Sequence, residues 1–178
     1  EHDDLPWLLF LQGGPGGKSP RPGMDDGWLQ HATKTHRVLL LDQRGTGRSA
    51  PLDCDPEPAT LPLRELTDPQ RQLQRARACL KKLQALPHGD LRHYTTTLAM
   101  ADLDAVRQAL GAERINLVAA SYGTRAALEY VRLYPQRVRR VVLDGVAPAD
   151  MALPEASAPD AQAAFDALVQ ACAQEPAC

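Results

Sequence analysis

No stretch of the 178-residue sequence stays apolar for the roughly 20 residues that a helix needs to cross a bilayer, so no membrane span is expected. Neither sign of charge dominates. With 20 Lys and Arg against 22 Asp and Glu, the formal charge is −2, which removes the usual electrostatic reason to expect nucleic acid or an anionic membrane as partner. Arg132, Arg137, Arg139 and Arg140 form a local basic group, read as a solvated helix end and loop. Metal-type spacing is missing too: Cys54, Cys79, Cys172 and Cys178 contain no C-x-x-C and lie near no histidine pair, so they fit no zinc pattern. Their spacing leaves two readings open. Cys54 with Cys79 and Cys172 with Cys178 could each close a local loop in an oxidising compartment, or all four could be reduced thiols in a cytoplasmic protein. There is no internal repeat. The chain opens with Glu1-His-Asp-Asp rather than a methionine or a basic, apolar leader, so its natural start is expected upstream.

What is present is organised around Ser121. Residues 115–118 make an aliphatic run of buried-strand type, residues 126–133 continue at helical spacing, and only Ser121, Tyr122 and Gly123 remain to reverse the chain between them. So tight a strand-to-helix turn strains the serine and requires small residues two before and two after it; these are Ala119 and Gly123. The pattern is a nucleophile elbow, G-x-S-x-G, with alanine in the first small position. It lifts the serine hydroxyl above a sheet and aims the Tyr122 N–H at whatever the serine attacks.

Other segments fit around that turn. Residues 7–11 read as a strand buried on both faces, followed by the glycine-rich residues 13–17. Gly17-Lys18-Ser19 imitates the end of a phosphate-binding loop, but Gln12 stands where that loop needs its first glycine, and Pro20 and Pro22 block the following helix. The segment is better read as an oxyanion-hole loop. Residues 25–34 suit a short helix and residues 38–41 a second buried strand. That strand leads into Asp42-Gln-Arg-Gly-Thr-Gly-Arg-Ser49, a turn expected to be held by Asp42 pairing with Arg44 or Arg48. After an irregular excursion to residue 66, Thr67 or Asp68 caps a helix reaching about Leu86. Leu73, Ala76, Leu80 and Leu83 share one face of it, expected to lie against the core. Another helix starts at Thr97 and ends at Gly111, a fourth strand covers residues 138–143, and residues 160–173 look like a helix outside the sheet. Buried strands alternating with helices indicate an α/β fold with a mostly parallel sheet and flanking helices.

With these pieces assembled, the sequence resembles the α/β-hydrolases, and within them the prolyl and tripeptidyl aminopeptidase family of serine peptidases. The resemblance is carried by Gln12-Gly-Gly-Pro-Gly16, by Asp42-Gln-Arg-Gly-Thr-Gly-Arg-Ser49, by Ser121-Tyr-Gly-Thr124 and by Val142-Leu-Asp-Gly145, in family order. It implies Ser121 as nucleophile, the N–H groups of Gly14 and Tyr122 as oxyanion hole, and a cis peptide before Pro15. It also implies a peptide substrate with a free N-terminus, whose ammonium is selected by acidic groups of a lid; Glu155 and Asp160 are among the acids present there, and the role is assigned to neither. Glutamine at position 12 resembles the exported, cysteine-bearing tripeptidyl branch. Periplasmic or secreted location and local disulfides such as Cys54 with Cys79 are therefore expected.

The catalytic triad does not close. Partners of the serine follow it in this fold, in the order Asp or Glu, then His, yet His2, His31, His36, His88 and His93 all precede Ser121. Asp144 is a fallback acid. The expectation is therefore a partial α/β-hydrolase core at residues 1–147 plus the start of a helical lid at 148–178, an inactive fragment whose partner is the missing C-terminal half of the same polypeptide. An esterase or other acyl hydrolase on the same fold, and a non-catalytic hydrolase-fold module, are the alternatives.

Overall fold

The computed structural model describes residues 4–20, 27–56, 58–152, 155–175 and 178. Its centre is a four-stranded, fully parallel sheet in the order β2-β1-β3-β4, built from β1 (Trp7–Leu11), β2 (Arg37–Leu39), β3 (Ile115–Ala120) and β4 (Val138–Asp144). β1 pairs with β3 in an unbroken register from Trp7↔Ile115 to Leu11↔Ala119. The chain passes from β1 to β2 on one side, then returns to β3 on the other side of β1 and continues outward to β4. The order therefore reverses between β1 and β3, and crevices beyond the carboxyl ends of such strands are where open α/β sheets bind ligands.

The helices are α1 (Gly27–Ala32), α2 (Leu63–Leu66), α3 (Pro69–Gln84), α4 (Thr96–Ala109), α5 (Tyr122–Leu133) and α6 (Ser157–Gln174). α4 opens on Thr95, whose hydroxyl accepts from Leu98 N–H, and closes near Gly111 at φ +65°. The core joins Leu9 and Leu11 of β1 and Ile115, Leu117 and Ala119 of β3 to Met100 and Leu103 of α4 and Ala126, Ala127 and Tyr130 of α5. Alanines at 126 and 127 let α5 lie close on the sheet.

α3 departs from expectation. Its cap is as anticipated, with Asp68 accepting from Gln70 N–H ahead of Pro69. Of the four residues assigned to an inward face, however, only Leu83 is buried; Leu73 and Leu80 are 51% and 43% exposed and Ala76 is exposed as well. Cross-links hold this helix as well as burial. Cys54 is bonded to Cys79, Lys82 pairs with Asp55 at 2.8 Å, and Arg75 donates to the Asp55 carbonyl at 3.1 Å. Cys172 is bonded to Cys178, so both anticipated disulfides are present. β2 is shorter than expected, ending at Leu39, and the first two residues of the anticipated helix at 25–34 lie outside the described residues. The four arginines of the basic group are all exposed, with Arg132 bonded to Glu129.

By internal contacts the chain divides into two units, Glu1–Ala147 and Pro148–Cys178. The second consists chiefly of α6, on which Phe165, Leu168 and Val169 are 60%, 66% and 50% exposed. No helix among the described residues is long and apolar enough to cross a membrane.

Candidate active site

The end of β3 and the start of α5 form the turn that the sequence suggests. Ser121 has φ +53° and ψ −125°, a region that a residue with a Cβ enters only at a cost of order 1–3 kcal/mol and keeps only where its surroundings over-determine it. Those surroundings are visible. Ser121 N–H donates to the Asp144 carbonyl at 2.9 Å, while its own carbonyl accepts the Thr124 N–H at 2.9 Å and the Thr124 hydroxyl at 2.7 Å. A Cβ on Gly123 would lie 2.0 Å from the Leu11 carbonyl oxygen, so the end of β1 passes where any side chain would sit. Ala119 is fully buried, its methyl group accommodated. Ser121 itself is exposed.

Beside this turn runs the loop after β1. Gly13 makes the close approach: a Cβ there would come within 3.0 Å of Ser121 Cβ and 3.5 Å of its Oγ. Gly14 has φ +126°, and the Gly14–Pro15 peptide is cis. Gln12 Oε1 accepts from Gly13 N–H at 3.3 Å. Tyr122 is the first residue of α5, where the backbone N–H has no intrahelical acceptor, and its hydroxyl lies 2.7 Å from Thr96 Oγ1 of α4. A cavity of about 200 Å³, whose lining includes Gln12, Gly16, Thr96 and Tyr122, separates this loop from the turn after β2.

That second turn is held by Asp42 and Arg48, one of the two expected pairings, through the Arg48 backbone, whereas Arg44 is engaged elsewhere. Asp42 accepts the backbone N–H groups of Ser19 at 2.8 Å and Arg48 at 2.9 Å, and Ser19 Oγ donates to the Leu41 carbonyl at 2.6 Å. Arg44 instead makes a two-pronged pair with Asp102 of α4, both contacts at 2.6 Å, and donates to the His93 carbonyl. Hydrogen bonding to Asp102 raises the Arg44 guanidinium above its ordinary value. A flat guanidinium matches a carboxylate edge, so the pair locks the turn to α4.

Ser121, Tyr122, Gly14 and Asp144 are thus gathered at the carboxyl ends of β1, β3 and β4. The histidines are not. His36 contacts Thr35 Oγ1 at 2.9 Å, His88 the Pro51 carbonyl at 3.5 Å and His93 Asp90 at 3.5 Å; His31 is exposed on α1, and His2 lies outside the described residues. Among the described residues none forms a hydrogen bond with Ser121 Oγ, and Asp144 is exposed and engages the elbow through its backbone carbonyl. No cluster among the described residues could hold a metal ion. Thr124, Thr96 and the Arg44–Asp102 pair escaped sequence reading. Single polar residues carry no periodicity, and only the three-residue step from Ser121 to Thr124 hints at a contact across one helical turn.

Known proteins resemble this chain over most of its length. Over 148 residues the chain is 35% identical to a proline iminopeptidase of Aeromonas sobria, covering 82% of this chain and 30% of that protein. Over 156 residues it is 33% identical to a tripeptidyl aminopeptidase of Streptomyces lividans, covering 78% and 28%. It therefore spans about 30% of the length of these relatives. A solved hydrolase structure from Pseudomonas aeruginosa PA01 superposes with a TM-score of 0.52 at 21% identity, over 97% of this chain and 46% of that one, a likeness of fold. Residues 6–178 match the family described by the alpha/beta hydrolase fold, and the parallel sheet with its strained serine turn is of that kind: the chain belongs to the α/β-hydrolases.

Proposed function

We propose that the polypeptide carrying this chain is a serine exopeptidase of the prolyl or tripeptidyl aminopeptidase type, cleaving at free peptide N-termini through an acyl-enzyme on Ser121. The observation that carries this reading is the exposed Ser121 held at φ +53° beside a glycine loop. Ser121 Oγ attacks the scissile carbonyl carbon while its proton passes to an imidazole. The oxyanion is met by the N–H groups of Tyr122 and Gly14, each such donor contributing about 2.7–4 kcal/mol to transition-state stabilisation. Collapse breaks the C–N bond, the imidazole gives its proton to the departing amine, and water attacks the ester with the same imidazole as base. No cofactor enters. The base and its acid come from polypeptide beyond residue 178, residues 148–178 begin the lid, and this chain alone is an incomplete catalyst. That no described histidine bonds to Ser121 Oγ supports the division, as does the share of its relatives that the chain spans. Asp144 serves as fallback acid only if an imidazole is brought to its exposed side chain.

The two disulfides support an oxidising location, periplasmic or secreted. The peptidase reading is tested on the full-length polypeptide with a fluorophosphonate probe and paired peptide substrates, N-terminally free and blocked. Labelling at Ser121 with cleavage of the free peptides alone is expected. Equal cleavage of blocked peptides or simple esters points to an acyl hydrolase on the same fold, and an unlabelled serine to a non-catalytic module.

A further inference from the structure

Thr124 is fully buried, and its hydroxyl is used in both directions. It donates to the Ser121 carbonyl at 2.7 Å and accepts the Ala147 N–H at 2.8 Å. Ala147 is itself buried, and it is the last residue of the first unit; Pro148 begins the second. Between β4 and Ala147 the chain turns through Gly145 at φ +61°, just after Asp144 has accepted the Ser121 N–H. Both backbone polar groups of Ser121 are therefore committed to one device. Its N–H is held by the end of β4, and its carbonyl by a hydroxyl whose own orientation is set by the backbone three residues further along.

A hydroxyl on a short branched stem is suited to this place. It has one proton for the carbonyl and a lone pair for the amide, whereas valine fills the same volume, leaves the buried Ala147 N–H unmatched and leaves the Ser121 carbonyl with only the backbone N–H of residue 124. Ser121 sits in a conformation kept only by its contacts, so losing one of the groups that fix its carbonyl frees the elbow to relax toward commoner backbone angles. The hydroxyl on Cβ would move with it.

We infer that Thr124 is the positioning residue of the nucleophile, linking the Ser121 carbonyl to the backbone at Ala147, so that a change in the path of the chain where the second unit begins is felt at the reacting hydroxyl. The inference rests on the reading of Ser121 as nucleophile. It goes further in naming what holds that serine and what can disturb it.

The test uses the full-length polypeptide and measures the fluorophosphonate labelling rate per folded molecule, with kcat and KM for an N-terminally free peptide. Thr124→Val is expected to lower labelling rate and kcat together, by roughly 10- to 100-fold as for about an ångström of misplacement, with KM little changed. Thr124→Ser, which keeps the hydroxyl, is expected to restore both. If Thr124→Val does not fold, Ala147→Pro removes the other donor of the link and should reproduce the loss. A labelled parent whose folded Thr124→Val reacts at the parental rate, or a Thr124→Ser as slow as valine, overturns this inference alone. An unlabelled parent overturns it together with the serine peptidase reading.

Discussion

Gly123 and the Asp104–Arg107 pair show how single residues hold the fold in opposite ways, one at the serine turn by having nothing beyond Cα and the other, bonded to the Ala112 carbonyl ahead of β3, by being charged where charge is rare. A methyl group on Gly123 would meet backbone, the Leu11 carbonyl, and backbone cannot swing aside as a side chain end can. Gly123→Ala should therefore lose roughly 1–3 kcal/mol, the usual range for overpacking, read as a lower urea midpoint with unchanged slope. Asp104 and Arg107 each have 6% side-chain exposure and pair at 2.6 Å. Burial alone would push the Asp104 carboxyl up, but hydrogen bonds from Arg107, Gln108 and Tyr130 outweigh it and hold the group below its ordinary value. Removing one partner leaves the other charge buried and poorly matched. Arg107→Ala should cost about 3–5 kcal/mol, whereas Tyr130→Phe, which deletes one neutral donor at 2.9 Å, should cost about 1–3 kcal/mol; denaturant titration of both variants checks the order. Ala119 and Gly123 were legible in the sequence because a tight turn demands small neighbours. Asp104 and Arg107 were not, since charges at helical spacing look like any solvated face until their partners are known.

Among the elements, the contrast between α3 and α5 separates what periodicity reveals from what it hides. Both present apolar residues on one face, yet Ala126, Ala127 and Tyr130 of α5 are fully buried while Leu73 and Leu80 of α3 are not. Spacing tells which residues share a face; whether something covers that face depends on the path of the irregular segment before it. For α3 that path is fastened by Cys54–Cys79, which spans 25 residues, and constraining a loop of that size in the unfolded chain contributes about 3–4 kcal/mol on the chain-entropy account. Cys54→Ser with Cys79→Ser should therefore release α3 first. Amide exchange is expected to accelerate across residues 69–84 well before it does in β1 or β3, and uniform acceleration would show that the helix is part of the main cooperative unit. α5 carries a different tie. Glu129 accepts from Arg132 and from Thr97 of α4, and these bonds, the Arg132 guanidinium foremost, lower its carboxyl from 4.5 to about 2. A depressed carboxylate stabilises the fold above its unfolded value and loses that contribution as pH falls through the folded one. The gap in melting temperature between the parent and Glu129→Gln should be constant above about pH 5 and close between the unfolded value of 4.5 and about 2.

For the whole molecule, the sheet order explains why residues more than a hundred positions apart in sequence meet. β1 and β3 are neighbours where the winding reverses, so the glycine loop after one and the serine turn after the other come together. The sequence made that adjacency readable only because the two motifs are found together; the strands themselves are ordinary aliphatic runs. The same topology places β4 outermost among the described strands, paired with β3 alone, with Val142 58% exposed. A serine poised without an imidazole is a weak nucleophile, and loss of the base from such a triad typically costs about 10⁴- to 10⁶-fold in kcat while the oxyanion donors keep some residual rate. If the peptidase proposed above is right, the 178-residue chain expressed alone should turn over peptides at least about 10⁴-fold more slowly than the full-length polypeptide. Ser121→Ala should abolish the activity of the longer protein and leave that of the short chain at the level of its uncatalysed background. Robust hydrolysis by the short chain, lost in Ser121→Ala, would mean that a base already reaches the hydroxyl from within these residues, and the division of the active site at residue 178 would have to be abandoned.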